Sequence, residues 1–115
     1  MILDLRKDFG DFPEYSLTKF PDNSIKFIYA SLFDRISYVR TTLRSNDDII
    51  ALCLVNDYLQ RNNYNPITLY IDYMMYQQDN EEGVEEVFMI LHSVAADLGK
   101  QKEFENQFKK IKFLA

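Results

Sequence analysis

The sequence predicts an α/β fold: one domain with a mixed, partly parallel sheet and two to three flanking helices. Three observations predict it. Strand-like and helix-like segments alternate through the second half of the chain, the order that parallel pairing with crossover helices produces. The segment around residue 50 is apolar on most of its circumference, which marks a helix covered on more than one side. The chain has 115 residues, 47% of them apolar, with only three glycines and three prolines, a size and composition suited to a single packed core.

The elements follow in order. Residues 2–5 are apolar enough to open a strand. Residues 16–20 and 25–29 flank Pro21-Asp22-Asn23-Ser24, whose Asp and Asn tolerate turn geometry, so the pair reads as a hairpin. Residues 36–41 hold Ile36, Tyr38, Val39 and Thr41 and predict a third strand. A helix is expected from Ser45 or Asn46, either of which can cap the free amides. Asp47 and Asp48 sit where the helix dipole favours negative charge, and Arg61 where it favours positive charge. Residues 62–66 make the turn, and residues 67–71 form a short apolar strand, central in its sheet. Residues 72–80 read as a polar-aromatic loop. Asp79 or Asn80 then caps a second helix with Val84, Val87, Phe88, Leu91, Val94, Ala95 and Leu98 on its apolar face, ended by Gly99. The tail has two readings. Phe104, Phe108 and Ile111 fit a third helix, while Ile111 and Phe113 alternate with lysines and fit a strand.

Charge and composition narrow the function classes. A net charge of −5 repels a phosphate backbone, and the closest basic cluster is Lys109, Lys110 and Lys112, so direct nucleic-acid binding is not expected. Cys53 is the only cysteine, which rules out a disulfide within the chain and suits a reducing compartment; its apolar neighbours predict a core residue. Charges begin at Asp4, unlike a signal peptide, and no apolar run approaches the ~18 residues of a membrane span. A cytoplasmic location is expected, that of the host cell if the chain is viral.

Residues 46–76 carry a pattern: Asn46-Asp47, an apolar run, Asn56-Asp57-x-Leu59-x-Arg61, five linker residues, Ile67-Thr68-Leu69-Tyr70-Ile71-Asp72-Tyr73, and Tyr76. Without a gap it resembles the N-terminal domain of ribose-phosphate pyrophosphokinase (phosphoribosyl pyrophosphate synthetase). That family carries an N-D-x-L-M-E-L helix ending in D-A-L-R-R, then a strand I-T-x-V-I-P-Y and the stretch Y-x-R-Q-D. Upstream, Lys19-Phe20-Pro21-Asp22-Asn23-Ser24 is similar to the family's R-F-x-D-G-E turn, whose aromatic ring stacks on adenine in a neighbouring subunit's site. Phe20 and Asp22 match; Asn23 replaces the glycine and Ser24 the glutamate. Residues 16–81 are covered, and residues 82–115 are expected to form a divergent helical tail. The N-terminal part looks like the shorter, hairpin-led versions found in large phages. The resemblance implies a phosphoribosyltransferase-like, three-layer arrangement and self-association, since family assemblies are dimers or hexamers.

Departures from the family govern the functional expectation. Gln78 stands where a family arginine contacts nucleotide, Glu81 stands where a second arginine follows, and Asp72 replaces a proline. Phosphoryl transfer needs cations against the spreading phosphate charge, so these changes run the wrong way. The family's metal-binding histidine motif and its D-D-x-x-x-T-G-G-T ribose-phosphate loop have no match, and the family's enzymes are considerably longer. No catalysis, cofactor or metal is expected. His92 lies on the apolar-patterned helix and reads as a partly buried histidine. Glu81, Glu82, Glu85 and Glu86 read as a solvated helix start. Cys53 with His92 is a poor nucleophile pair, because reactive thiols need electropositive, exposed settings.

Tyr73, Met74, Met75 and Tyr76 follow the C-terminal end of a parallel strand, the usual ligand rim of open α/β sheets. They are either a partner-binding surface or a stretch whose alternate side chains pack inward. Phe104 and Phe108 add apolar bulk suited to a contact between copies. The leading expectation is a non-catalytic interaction protein, most simply a phage-encoded inhibitor or modulator of a larger host or defence protein. The alternatives are an oligomeric binder of a nucleotide or nucleotide-derived signal, using Phe20, Asp22 and Gln78, and a regulatory subunit of a full-length synthetase.

Overall fold

The computed structural model describes residues 1–30, 35–74, 106–108 and 110–113, with the side chains of Met74 and Phe113 excepted. The chain is α/β. Strand β1 (Ile2–Asp4) is followed by three strands of a separate antiparallel sheet, β2 (Gly10–Asp11), β3 (Tyr15–Lys19) and β4 (Ile25–Tyr29). Then come β5 (Tyr38–Leu43), helix α1 (Asn46–Arg61), β6 (Thr68–Met74) and β7 (Lys110–Phe113). The main sheet has the order β1-β5-β6-β7, and every pair in it is parallel. The small sheet has the order β2-β3-β4.

Hairpin β3–β4 forms where the turn residues place it. Asn23 takes the left-handed conformation at φ 70°, which Asn adopts more readily than most residues. The Asp22 carboxylate accepts from the Ser24 amide at 3.0 Å and from the Ser24 hydroxyl at 2.6 Å, so the turn is closed by its own side chains. Period-two alternation sends Tyr15 and Leu17 inward, and leaves Ile28 on the outer face, 48% exposed.

Helix α1 starts and stops on local signals. Ser45 is the N-cap and its hydroxyl accepts from the Asp48 amide, while the Arg44 amide donates to the Asp48 carboxylate at 2.8 Å. At the other end Asn63 sits at φ 57°. Its amide donates to the Gln60 carbonyl at 3.1 Å, and the Tyr64 amide reaches back to the Leu59 carbonyl at 3.0 Å. These two bonds make a Schellman closure with asparagine in the usual glycine place.

The core lies between the parallel sheet, α1 and the small sheet. Leu3, Val39, Leu43, Leu69 and Ile71 meet Ile49, Leu52, Val55 and Leu59 of α1 with no exposed surface. Each such side chain contributes about 1.5–3 kcal/mol by leaving water. Cys53 is buried in α1, as its setting predicts. Rings tie the small sheet to the helix: Tyr58 packs on Phe27 at 5.8 Å and on Tyr29 at 5.3 Å between centroids. Tyr15 ties the small sheet to β1, its hydroxyl donating to the Asp4 carbonyl at 2.7 Å. Burial, helped by the nearby charges of Asp4 and Glu14, pushes the Tyr15 phenol up to about 12. Within α1, Asn56 is fully buried and neither side-chain polar atom has a partner among the described residues.

Three expectations change. Strand β6 runs on through Asp72 and Tyr73 to Met74 instead of turning to loop after residue 71. A register shift between Thr41 and Leu43 brings Leu43 opposite Met74 and prolongs the ladder. The C-terminal tail is not wholly helical: Lys110–Phe113 pairs with β6, Thr68 opposite Lys110 through Ile71 opposite Phe113. Ile111 is buried between exposed Lys110 and Lys112, so the alternating reading of the tail holds there. Phe108 offers no surface for a partner, because it is 0% exposed in the core. It is held there by its neighbour Gln107, whose carbonyl accepts from the Ile67 amide and whose side-chain amide donates to the Asn65 carbonyl. The expected helix over residues 80–98 lies outside the described residues. No described helix is long and apolar enough to cross a membrane.

Two substitutions test this packing by chemical denaturation. Phe108→Ala is expected to cost about 3–5 kcal/mol, as for a core ring, whereas a surface aromatic would cost less than about 0.5 kcal/mol. Asn56→Leu is expected to raise stability by about 1–2 kcal/mol, because it removes two buried groups without partners. A loss instead would mean that the amide is satisfied in solution.

Candidate interaction face

Alternation along the parallel strands gives the sheet two unlike faces. Leu3, Val39, Thr41, Leu43, Leu69, Ile71 and Ile111 point to the core. The opposite face therefore carries Ile2 and Asp4 from β1, Tyr38, Arg40 and Thr42 from β5, Thr68, Tyr70 and Asp72 from β6, and Lys110 and Lys112 from β7. Register sets them in rows. Ile2, Tyr38, Thr68 and Lys110 form one row, and Asp4, Arg40, Tyr70 and Lys112 the next. This face is exposed at its two edges: Ile2 is 46% exposed and Lys110 and Lys112 are exposed, while the seven residues between them are half-buried.

Four charged residues are linked at its C-terminal end. Arg6, just past β1, donates to Asp4 at 2.7 Å and to Asp72 at 3.3 Å. Arg40 donates to both oxygens of Asp72, at 3.0 and 3.2 Å. Arg6 holds the Asp4 carboxyl below its ordinary value, first through the side-chain hydrogen bond, against an opposing effect of burial. Beside this array Tyr38 and Tyr70 meet edge to face at 4.9 Å, and the Lys112 ammonium lies 5.9 Å from the Tyr70 ring. The sequence signal for this array was Arg40 in the middle of a strand pattern, since an arginine in a central strand needs an open face or a buried partner.

The residues singled out from sequence fall in different places. Tyr73 stands at the rim of the sheet, 57% exposed, where three residue steps of β6 span two of β5. Met74 ends β6. Phe20 projects at the hairpin turn, 42% exposed, while the Asp22 carboxylate is engaged by Ser24, whose hydroxyl chiefly keeps its pKa below the ordinary value. The structure does not bring Phe20 and Tyr73 into one ring contact among the described residues. Met75, Tyr76, Gln78, Phe104, His92 and the glutamates of residues 81–86 lie outside the described residues.

A shallow cleft of about 270 Å³ opens where the hairpin meets the start of α1, lined by Asp8, Phe9, Lys19, Arg44, Ser45, Asp47 and Asp48. Lys19 pairs with Asp47 at 2.7 Å, and Arg44 pairs with Asp8 at 3.6 Å and Asp48 at 3.4 Å. Three carboxylates against two cations leave no positive excess for a phosphate. Among the described residues no group of His, Cys, Asp and Glu is placed to hold a metal ion. No protein-family profile matches the chain, and no curated protein or solved structure shows significant similarity to it.

The ion-pair array makes stability depend on acid pH. Because the folded Asp4 carboxyl titrates below its ordinary 3.8, its contribution is present above that value and lost as pH falls through the lower, folded one. Thermal melts between about pH 7 and pH 2 are expected to show a steep acid limb in the natural chain. Asp4→Asn should melt earlier at neutral pH and show a shallower limb.

Proposed function

We propose that the chain is a non-catalytic interaction protein, related to the N-terminal domain of ribose-phosphate pyrophosphokinase, that binds and modulates a larger protein. Its acidic charge and hairpin-led N-terminal half suit a phage-encoded inhibitor of a host or defence protein. The observation that carries the binding reading is the open face of the parallel sheet. Parallel sheets ordinarily have both faces covered, and here one face leaves Ile2 and two lysines exposed and Tyr38 and Tyr70 half-buried. Tyrosine and arginine are the residues that contribute most at protein interfaces. The carboxylate excess of the cleft beside α1 supports the same reading over phosphate chemistry.

One observation favours a second reading, in which an oligomer binds a nucleotide: the Phe20 ring is held outward by a turn that closes on itself. Calorimetry with ATP, ADP, ADP-ribose and phosphoribosyl pyrophosphate separates the two, since only the second produces heat that Phe20→Ala abolishes. Capture of a full-length synthetase would instead identify this chain as its regulatory subunit.

The test is affinity capture of the tagged chain from lysate of its natural cell, read by mass spectrometry. A stoichiometric protein partner is expected. Tyr70→Ala and Tyr73→Ala, each checked for an unchanged melt, are each expected to weaken its retention about tenfold or more, the size of an interface anchor of ~1.4 kcal/mol. Retention unchanged in both would place the interface elsewhere.

A further inference from the structure

We infer that the face of the parallel sheet opposite α1 seats an acidic amphipathic helix of a partner protein. The inference rests on the interaction reading and deepens it.

Charge selects the partner's chemistry. The chain carries −5 overall, yet this face holds Arg6, Arg40, Lys110 and Lys112 against Asp4 and Asp72. The two arginines are committed to the two aspartates. Lys110 and Lys112 have no carboxylate partner among the described residues, and both are exposed on edge strand β7. The positive excess is therefore concentrated at one edge. At the opposite edge Ile2 is exposed, and the Tyr38–Tyr70 pair lies between.

Along the row Ile2, Tyr38, Thr68 and Lys110 the face runs from apolar through aromatic to basic, which matches the two sides of an amphipathic helix laid along the strands. Its apolar stripe covers Ile2, Tyr38 and Tyr70, and its acidic flank meets Lys110 and Lys112. The dimensions agree: four strands about 4.8 Å apart span about 15 Å, enough for a helix about 10 Å wide. A polyanion such as nucleic acid fits less well, because Asp4 and Asp72 lie in its path and only two cations are uncommitted. A second copy packed with β7 on β7 would oppose like lysine pairs.

The test titrates the isotope-labelled full chain with three probes and follows backbone amide shifts. The probes are an acidic peptide of about 16 residues with a leucine stripe, about 24 Å as a helix, the same stripe flanked by lysine, and oligothymidylate. Saturable shifts in β1, β5, β6 and β7 are expected with the acidic peptide, with at least tenfold weaker binding of the lysine peptide. Lys110→Glu with Lys112→Glu, both on the surface, should weaken the acidic peptide at least tenfold and leave the melt unchanged. Shifts confined to the hairpin, indifference to the lysine change, preference for the oligonucleotide, or no binding would overturn the inference. If a captured partner is retained by the lysine variant and lost by Tyr73→Ala, the interaction reading survives and the helix seat does not. No partner and no peptide binding would remove both.

Discussion

The pairing of β5 with β6 through α1 is the constraint on which the rest of the molecule depends. A parallel pair cannot be joined by a tight turn, so the chain must leave the sheet and return over it. Helix α1 makes that return, and its apolar run has to be broad because it meets more than one layer. Ile49, Leu52, Val55 and Leu59 are all without exposed surface. The flanking strands β1 and β7 then add to a ladder that already exists. The small sheet adds through rings: Tyr58 holds Phe27 and Tyr29, and Tyr15 joins Phe27 at 6.0 Å while its hydroxyl holds β1.

That arrangement also decides where polar groups can go. On the covered side Thr41 and Asn56 are both buried, and the Asn56 amide is unanswered among the described residues. On the open side, solvent and neighbouring strands share the work. Arg40 and Asp72 sit on adjacent central strands with their side chains a quarter to a third exposed, so neither charge bears full desolvation. The pair costs little and keeps the middle of the sheet polar, which limits indiscriminate apolar contact while leaving Tyr38 and Tyr70 presented.

Local signals made much of the fold legible in the sequence. The Ser45 cap, the Pro21 to Ser24 turn and the apolar run of α1 each act within a few residues, and the structure places them where the sequence implied. Strand ends were less legible. The extension of β6 to Met74 runs through a register shift in which three residue steps of β6 span two of β5, and no glycine or proline among Asp72, Tyr73 and Met74 announces it. Phe108 misled because a phenylalanine in a polar tail resembles a surface anchor; its burial depends on Gln107 docking to the turn before β6, a contact across many residues. The open face was written in the alternation of residues 38–43 and 68–72, but recognising it required knowing which strands lie side by side.

The separation of charge across the sheet has a consequence for how the molecule meets others. With a positive excess on one face and a negative total, the remainder of the surface is more acidic than the chain as a whole. Such a molecule presents its β7 edge to an acidic surface more favourably than its acidic remainder. Orientation before contact speeds productive encounter and is lost as ions screen the field beyond about 10 Å. The lysine edge thus bears on the approach of an acidic surface, before any contact is made.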